Sequence, residues 1–130
     1  MKRRGTPEAD LQRAVVQALR VALPRTAIIH HCANEVTEAG PRGAKRQAIL
    51  VGMGVHAGFA DLMVIYEGRV LFLELKAPKG RLRSTQEAFR DGVLAQGFGW
   101  VLVRSVDDAL GALTDFGFAS RMRPARRAVL

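Results

Sequence analysis

Residues 59–76, FADLMVIYEGRVLFLELK, constrain the fold more than any other stretch of the chain. Two apolar runs flank Glu67-Gly68, a pair suited to a tight turn, so they read as the strands of an antiparallel hairpin. With those two residues as the loop, Tyr66 faces Arg69 and Ile65 faces Val70, and the ladder continues until Asp61 stands opposite Glu74. The two-residue period puts Met63, Ile65, Val70 and Phe72 on the face of Asp61 and Glu74, and Leu62, Val64, Leu71, Leu73 and Leu75 on the other. A sheet apolar on both sides is normally covered on both sides. The hairpin alone therefore asks for an α/β architecture.

The flanking sequence supplies the covers. Thr6 is placed to cap a helix that opens with Pro7, carries Glu8 and Asp10 in its first turn, and ends before Pro24. Leu11, Ala14, Val15, Ala18, Leu19 and Ala22 form its apolar stripe. TAIIHHC reads as a short strand. Residues 33–58, with five glycines and a Lys45-Arg46 pair, read as a substrate loop or flap with one or two helical turns around AKRQAILVG. Ser84 caps a helix to about Gln96, which Gly97 ends; GWVLVR is a strand; Ser105 caps a last helix, VDDALGALTDF. The order α-β-(loop)-β-β-α-β-α predicts a mixed sheet flanked by helices on both faces. One domain over residues 1–130 is expected, with its core at about 6–118 and basic tails at 1–5 and 119–130.

A chain with 48% hydrophobic and 25% charged residues is that of a soluble globular protein. The single cysteine, Cys32, excludes an intrachain disulfide and fits a reducing cytoplasm. MKRRG is followed by TPEADLQ where a signal peptide needs an apolar core, and no apolar run is long enough to span a membrane. The net charge is +8, yet Lys2, Arg3, Arg4, Arg121, Arg123, Arg126 and Arg127 hold seven of the twenty basic groups, leaving residues 5–120 with thirteen basic against twelve acidic. Basic tails on a nearly neutral body suit a polyanionic partner, nucleic acid first.

Chemistry concentrates at the hairpin's open end. Directly opposed residues have side-chain roots about 4.5–5.5 Å apart, and like charges there repel. A raised pKa, a salt bridge from Lys76, or a divalent cation would relieve Asp61 and Glu74. Two carboxylates and water suit Mg²⁺ or Mn²⁺, and Lys76, one step along the same face, would sit beside an attacking water or a phosphate. A Glu-x-Lys triplet alone also fits a solvated strand edge, and Glu8 also fits a helix-dipole residue. Gln86 adds an amide able to fix a phosphate or the water. Lys76, Lys79, Arg81, Arg83 and Arg90 against Glu87 read as a phosphate track, with Lys45 and Arg46 as further contacts. Asn34 and Glu35 begin the flap. His30, His31, His56 and Cys32 lack zinc-site spacing, and no glycine run has phosphate-loop spacing, which argues against ATP. One Trp and one Tyr give little support to base stacking along a single strand.

GFADLMV…FLELKAPKGRLRSTQEAF resembles the VRR-NUC (virus-type replication-repair nuclease) family of the PD-(D/E)xK nuclease superfamily, over roughly residues 6–114. The resemblance implies a restriction-endonuclease-like core. It makes Asp61 the metal aspartate, Glu74 and Lys76 the acid–lysine pair, the Leu75 carbonyl a further metal ligand and Gln86 the downstream glutamine. The first-helix acid would be Glu8 or Asp10, with the spacing of Glu8 to Leu11-Gln12 nearer the family's. Ala60 stands where the superfamily usually has a proline, which shapes the turn and does no chemistry. The implied activity is that of a Mg²⁺- or Mn²⁺-dependent endodeoxyribonuclease leaving 5′-phosphates. Compact phage and bacterial members of this type act as homodimers on branched DNA, including four-way (Holliday) junctions, in DNA repair. Two rivals are a non-catalytic nucleic-acid-binding module, which has no reason to keep opposed carboxylates, and a small-phosphoester hydrolase, against which the basic tails weigh.

Overall fold

The structure, a computed structural model, describes residues 6–33 and 40–122. Its elements are α1 (Pro7–Ala22), β1 (Ile28–His31), α2 (Gly40–Gly52), β2 (Leu62–Tyr66), β3 (Arg69–Leu75), α3 (Ser84–Ala95), β4 (Gly99–Val103) and α4 (Val106–Asp115). They build one sheet of order β1-β2-β3-β4, antiparallel except for the parallel β3–β4 pair. The chain is thus α/β with a mixed sheet, as the order of elements predicted.

Glu67 (φ 48°) and Gly68 (φ 76°) both take left-handed backbone, which makes the primed turn that matches strand twist. The register is the expected one, from Tyr66 opposite Arg69 to Leu62 opposite Leu73. Leu62, Val64, Leu71, Leu73 and Leu75 pack with Val15, Leu19 and Ala22 of α1 and Leu110 and Leu113 of α4. Phe72 packs with Phe89 and Val93 of α3, and Met63 and Val70 lie against that cluster. One face is aliphatic, the other aromatic. Ala14, expected in the α1 stripe, is exposed: Val15, Leu19 and Ala22 hold the centre of the buried face and Ala14 falls to its flank.

Two expectations need correction. The segment read as a flap with one or two helical turns contains α2, a 13-residue helix. Pro41 suits a helix start, and Ala44, Lys45, Arg46, Gln47, Ala48 and Leu50 include strong helix formers. Its helix is hard to see in sequence because only Gly43 is buried, so no apolar stripe announces it. Asn34 and Glu35 lie outside the described residues. Secondly, the N-cap of α3 is Arg83, not Ser84. The side chain of Gln86 does the capping, its Oε1 accepting from the Arg83 N–H at 2.8 Å. The other caps stand as expected: Thr6 Oγ1 accepts from the Ala9 N–H and Ser105 Oγ from the Asp108 N–H, each at 3.1 Å.

Beyond α4 the chain stays docked through Met122, with the Arg121 N–H donating to the Ala22 carbonyl at 2.9 Å. Among the described residues no helix is long and apolar enough to cross a membrane. Gly58 (φ 76°) passes so close to α3 that a Cβ there would collide with the Thr85 carbonyl. Only glycine lets the segment before β2 run against the first turn of that helix.

Candidate active site

The β2–β3 ladder ends at Leu62 and Leu73. One step further, the Asp61 carbonyl accepts from the Cys32 N–H at 2.8 Å, and its carboxylate Oδ2 accepts from the Leu75 N–H at 2.7 Å. The aspartate side chain thus stands where a main-chain partner of Leu75 would have been. β3 continues past it, bonded on its other side to β4, where the Lys76 N–H donates to the Val103 carbonyl at 3.0 Å.

Glu74 and Lys76 do not meet solvent at this strand end. Glu74 is 1% exposed and Lys76 8%. The Lys76 ammonium lies 3.9 Å from Glu74 Oε1, an ion pair rather than a hydrogen bond. The same oxygen accepts from Gln86 Nε2 at 2.8 Å. Gln86 is itself buried, and its two ends are committed: the carbonyl to the Arg83 N–H, the amide to Glu74. In this arrangement it orients Glu74, where sequence reasoning had it facing a phosphate or water.

A cavity of about 650 Å³ opens where the N-terminus of α1 meets the end of the sheet. Glu8, Gln12, His31, Cys32, Asp61 and Leu75 are among its walls, whereas Glu74 and Lys76 are not. The structure therefore brings Glu8 to the cavity of Asp61. Asp10 turns aside to Arg13, at 3.3 Å, on the exposed surface. Burial first, and then the charge of Asp61, push the Cys32 thiol above its ordinary pKa.

The donor chemistry can be tested against the implied cation. Among the described residues no group of three or more His, Cys, Asp or Glu side chains gathers as a ligand set, so a zinc-type cage of side chains is not built. The carboxylates of Asp61 and Glu74 and the carbonyl of Leu75 are hard oxygen donors. That set fits Mg²⁺ or Mn²⁺, which keep several waters.

The predicted basic residues fall in two places. Lys45 and Arg46 share a shallow groove of about 410 Å³ on α2 with Arg42 and Ile49. Lys79, Arg81 and Arg83 are exposed between β3 and α3. Arg104, which sequence reasoning passed over, holds the start of that segment: its Nη1 donates to the Ala77 carbonyl at 2.7 Å and to the Pro78 carbonyl at 3.2 Å. Its own N–H donates to Asp108 at 2.9 Å. An arginine just past a strand carries no local mark of a partner 27 positions away. Gln12 was missed likewise, though its spacing of four from Glu8 on one helix face was there to be read.

A solved structure described as a "VRR_NUC domain protein" superposes on this chain with a TM-score of 0.61 and 20% sequence identity, covering 88% of this chain and 91% of that one. No family model and no curated protein matches the sequence. At that identity the likeness speaks for the backbone: the chain has the fold of a VRR_NUC domain.

Proposed function

We propose that this chain is a divalent-metal-dependent endodeoxyribonuclease of the VRR-NUC kind that hydrolyses phosphodiester bonds in branched DNA, four-way junctions among them. The observation that carries the reading is the buried Glu74–Lys76 pair, clamped by Gln86 and set one strand away from Asp61. Buried ion pairs are often no more stabilising than apolar residues of the same volume. Their presence at a strand end is better explained by chemistry than by folding.

Asp61, Glu74 and the Leu75 carbonyl are the groups that would hold Mg²⁺ or Mn²⁺, with Glu8 reaching the cavity of Asp61 and Leu75 from α1. When bound, such an ion supplies Lewis acidity at the phosphate and makes a water more acidic. Lys76 then aligns the attacking water or donates to the phosphate oxygen on which charge builds. Gln86 keeps the Glu74 carboxylate turned toward its task. Lys79, Arg81, Arg83, Lys45 and Arg46 grip phosphates, which positions the backbone without reading sequence. Action as a homodimer, with paired cuts leaving 5′-phosphates, belongs to the same reading.

The rival, a non-catalytic nucleic-acid-binding module, has one observation on its side: Glu74 is 1% exposed. End-labelled four-way junction, flap, linear duplex and single-stranded DNA, each with Mg²⁺, Mn²⁺ or chelator, separate the two. Metal-dependent cutting, fastest on the junction and lost in Glu74→Ala, is expected. Tight binding without cutting in either metal would establish the binding module instead.

A further inference from the structure

A second cavity, of about 390 Å³, lies beside the first. Cys32 and Ala33 line both, so the two share the stretch of backbone that follows β1. Its remaining walls differ in kind. Phe59 and Met63 are apolar, His30 and His56 offer ring nitrogens, and no Lys or Arg among the described residues lines it.

The ring of Phe59 is held in place by two other rings. It lies 4.6 Å from the ring of Phe89, tilted, and 5.4 Å from that of Phe72, edge-on. A platform fixed this way loses little freedom when a flat ligand stacks on it. His56 is also placed, with its ring 5.6 Å from Phe89 and its Nδ1 2.9 Å from the Ala57 carbonyl. A carbonyl only accepts, so Nδ1 is the donor in that bond, and Nε2 is the ring's other hydrogen-bonding atom. A fixed aromatic ring beside imidazole nitrogens suits a flat heterocycle with polar groups on its edge.

We propose that this cavity seats one unpaired nucleobase of the strand whose phosphate enters the Asp61 cavity. The proposal rests on the nuclease reading above. The scarcity of Trp and Tyr in the chain weighs against stacking along a strand, but a single-base subsite needs only one ring. Such a subsite would favour DNA with an unpaired nucleotide next to the cut over intact duplex.

The test measures binding of the full chain, in chelator so that nothing is cut, to a flap DNA carrying one abasic position. That position is walked through the unpaired nucleotides while fluorescence anisotropy of a distant label reads affinity. In the wild-type protein one position should weaken binding about tenfold and its neighbours little, as loss of one stacked base does. His56→Ala and Phe59→Leu should weaken binding to the intact flap several-fold and lose that position-dependent penalty. His56 is exposed, and leucine keeps apolar volume against Phe72 and Phe89, so both variants retain the fold, which a thermal melt verifies. An even abasic profile with binding intact overturns the subsite and leaves the nuclease reading standing. The same penalty in the variants as in wild type overturns it too. Failure to bind any DNA, both in chelator and with Ca²⁺ in its place, overturns both readings.

Discussion

The β2–β3 hairpin ends twice, and the two endings obey different physics. At the turn, Glu67 and Gly68, both exposed, close the ladder through left-handed backbone. At the open end, the Asp61 carboxylate takes the Leu75 N–H, and a buried Glu74 is held by Lys76 and Gln86. That end depends on three further places: Cys32 beyond β1, Gln86 on α3 and Val103 on β4. An ending that serves stability is local and self-contained. An ending that serves chemistry recruits partners, because each buried charge left unmatched costs several kcal/mol.

Substitutions can break this contrast or sharpen it. The largest effect is expected at the open end. Glu74→Gln keeps the volume and removes the charge; it should lower single-turnover cleavage by at least about 10²-fold, the scale of losing one electrostatic group in a reaction site. Activity within tenfold of wild type would place the chemistry elsewhere. Next comes Gly58→Ala, whose new methyl meets the Thr85 carbonyl. It should lower stability by about 2–3 kcal/mol in urea unfolding, the range of overpacking and backbone strain, and slow cleavage by displacing the helix turn that carries Gln86. A stable variant would show that α3 can shift without harm.

At the turn the same kind of change should behave differently. Gly68→Ala puts a side chain on left-handed backbone and should lower stability by about 1–2 kcal/mol, a melting shift of several degrees, with cleavage at low temperature unchanged. Loss of cleavage there would mean that the two ends are coupled. The smallest effect is at Cys32. Burial, and then Asp61, raise its thiol pKa, so at pH 8 iodoacetamide should react more slowly than with a free cysteine, and faster in Asp61→Asn. The sign for stability follows. The folded thiol keeps its proton where the unfolded one, near pKa 9.0, loses it, so this contribution is full below that pH and falls away above it.

What could be read beforehand follows the same division. The register and both faces of the hairpin were legible because a period of two and a two-residue turn determine them together. Thr6 and Ser105 were legible because a cap acts three residues away. α2 was not: a helix whose one buried residue is Gly43 lacks the periodic signal, and its glycines read as loop. Arg83 was passed over as a cap because the bond that closes α3 comes from Gln86, with Ser84 the more conventional capping residue beside it. That Gln86 would grip Glu74, or Arg104 the carbonyls of Ala77 and Pro78, is a fact of packing that no spacing rule contains.

Asp61, Glu74, Leu75, Lys76 and Gln86 all come from the run between residues 61 and 86; of the metal-holding and catalytic groups proposed, Glu8 alone comes from elsewhere. Contacts so near in sequence form early, and hairpins close within about 1–10 μs. Should the hairpin close before α3 docks, Glu74 is still hydrated when β2 and β3 pair, and its burial comes afterwards. The burial of that charge then weighs on leaving the native state rather than on reaching it. Removing the Glu74 charge should move the unfolding arm of a denaturant chevron and leave the refolding arm where it is.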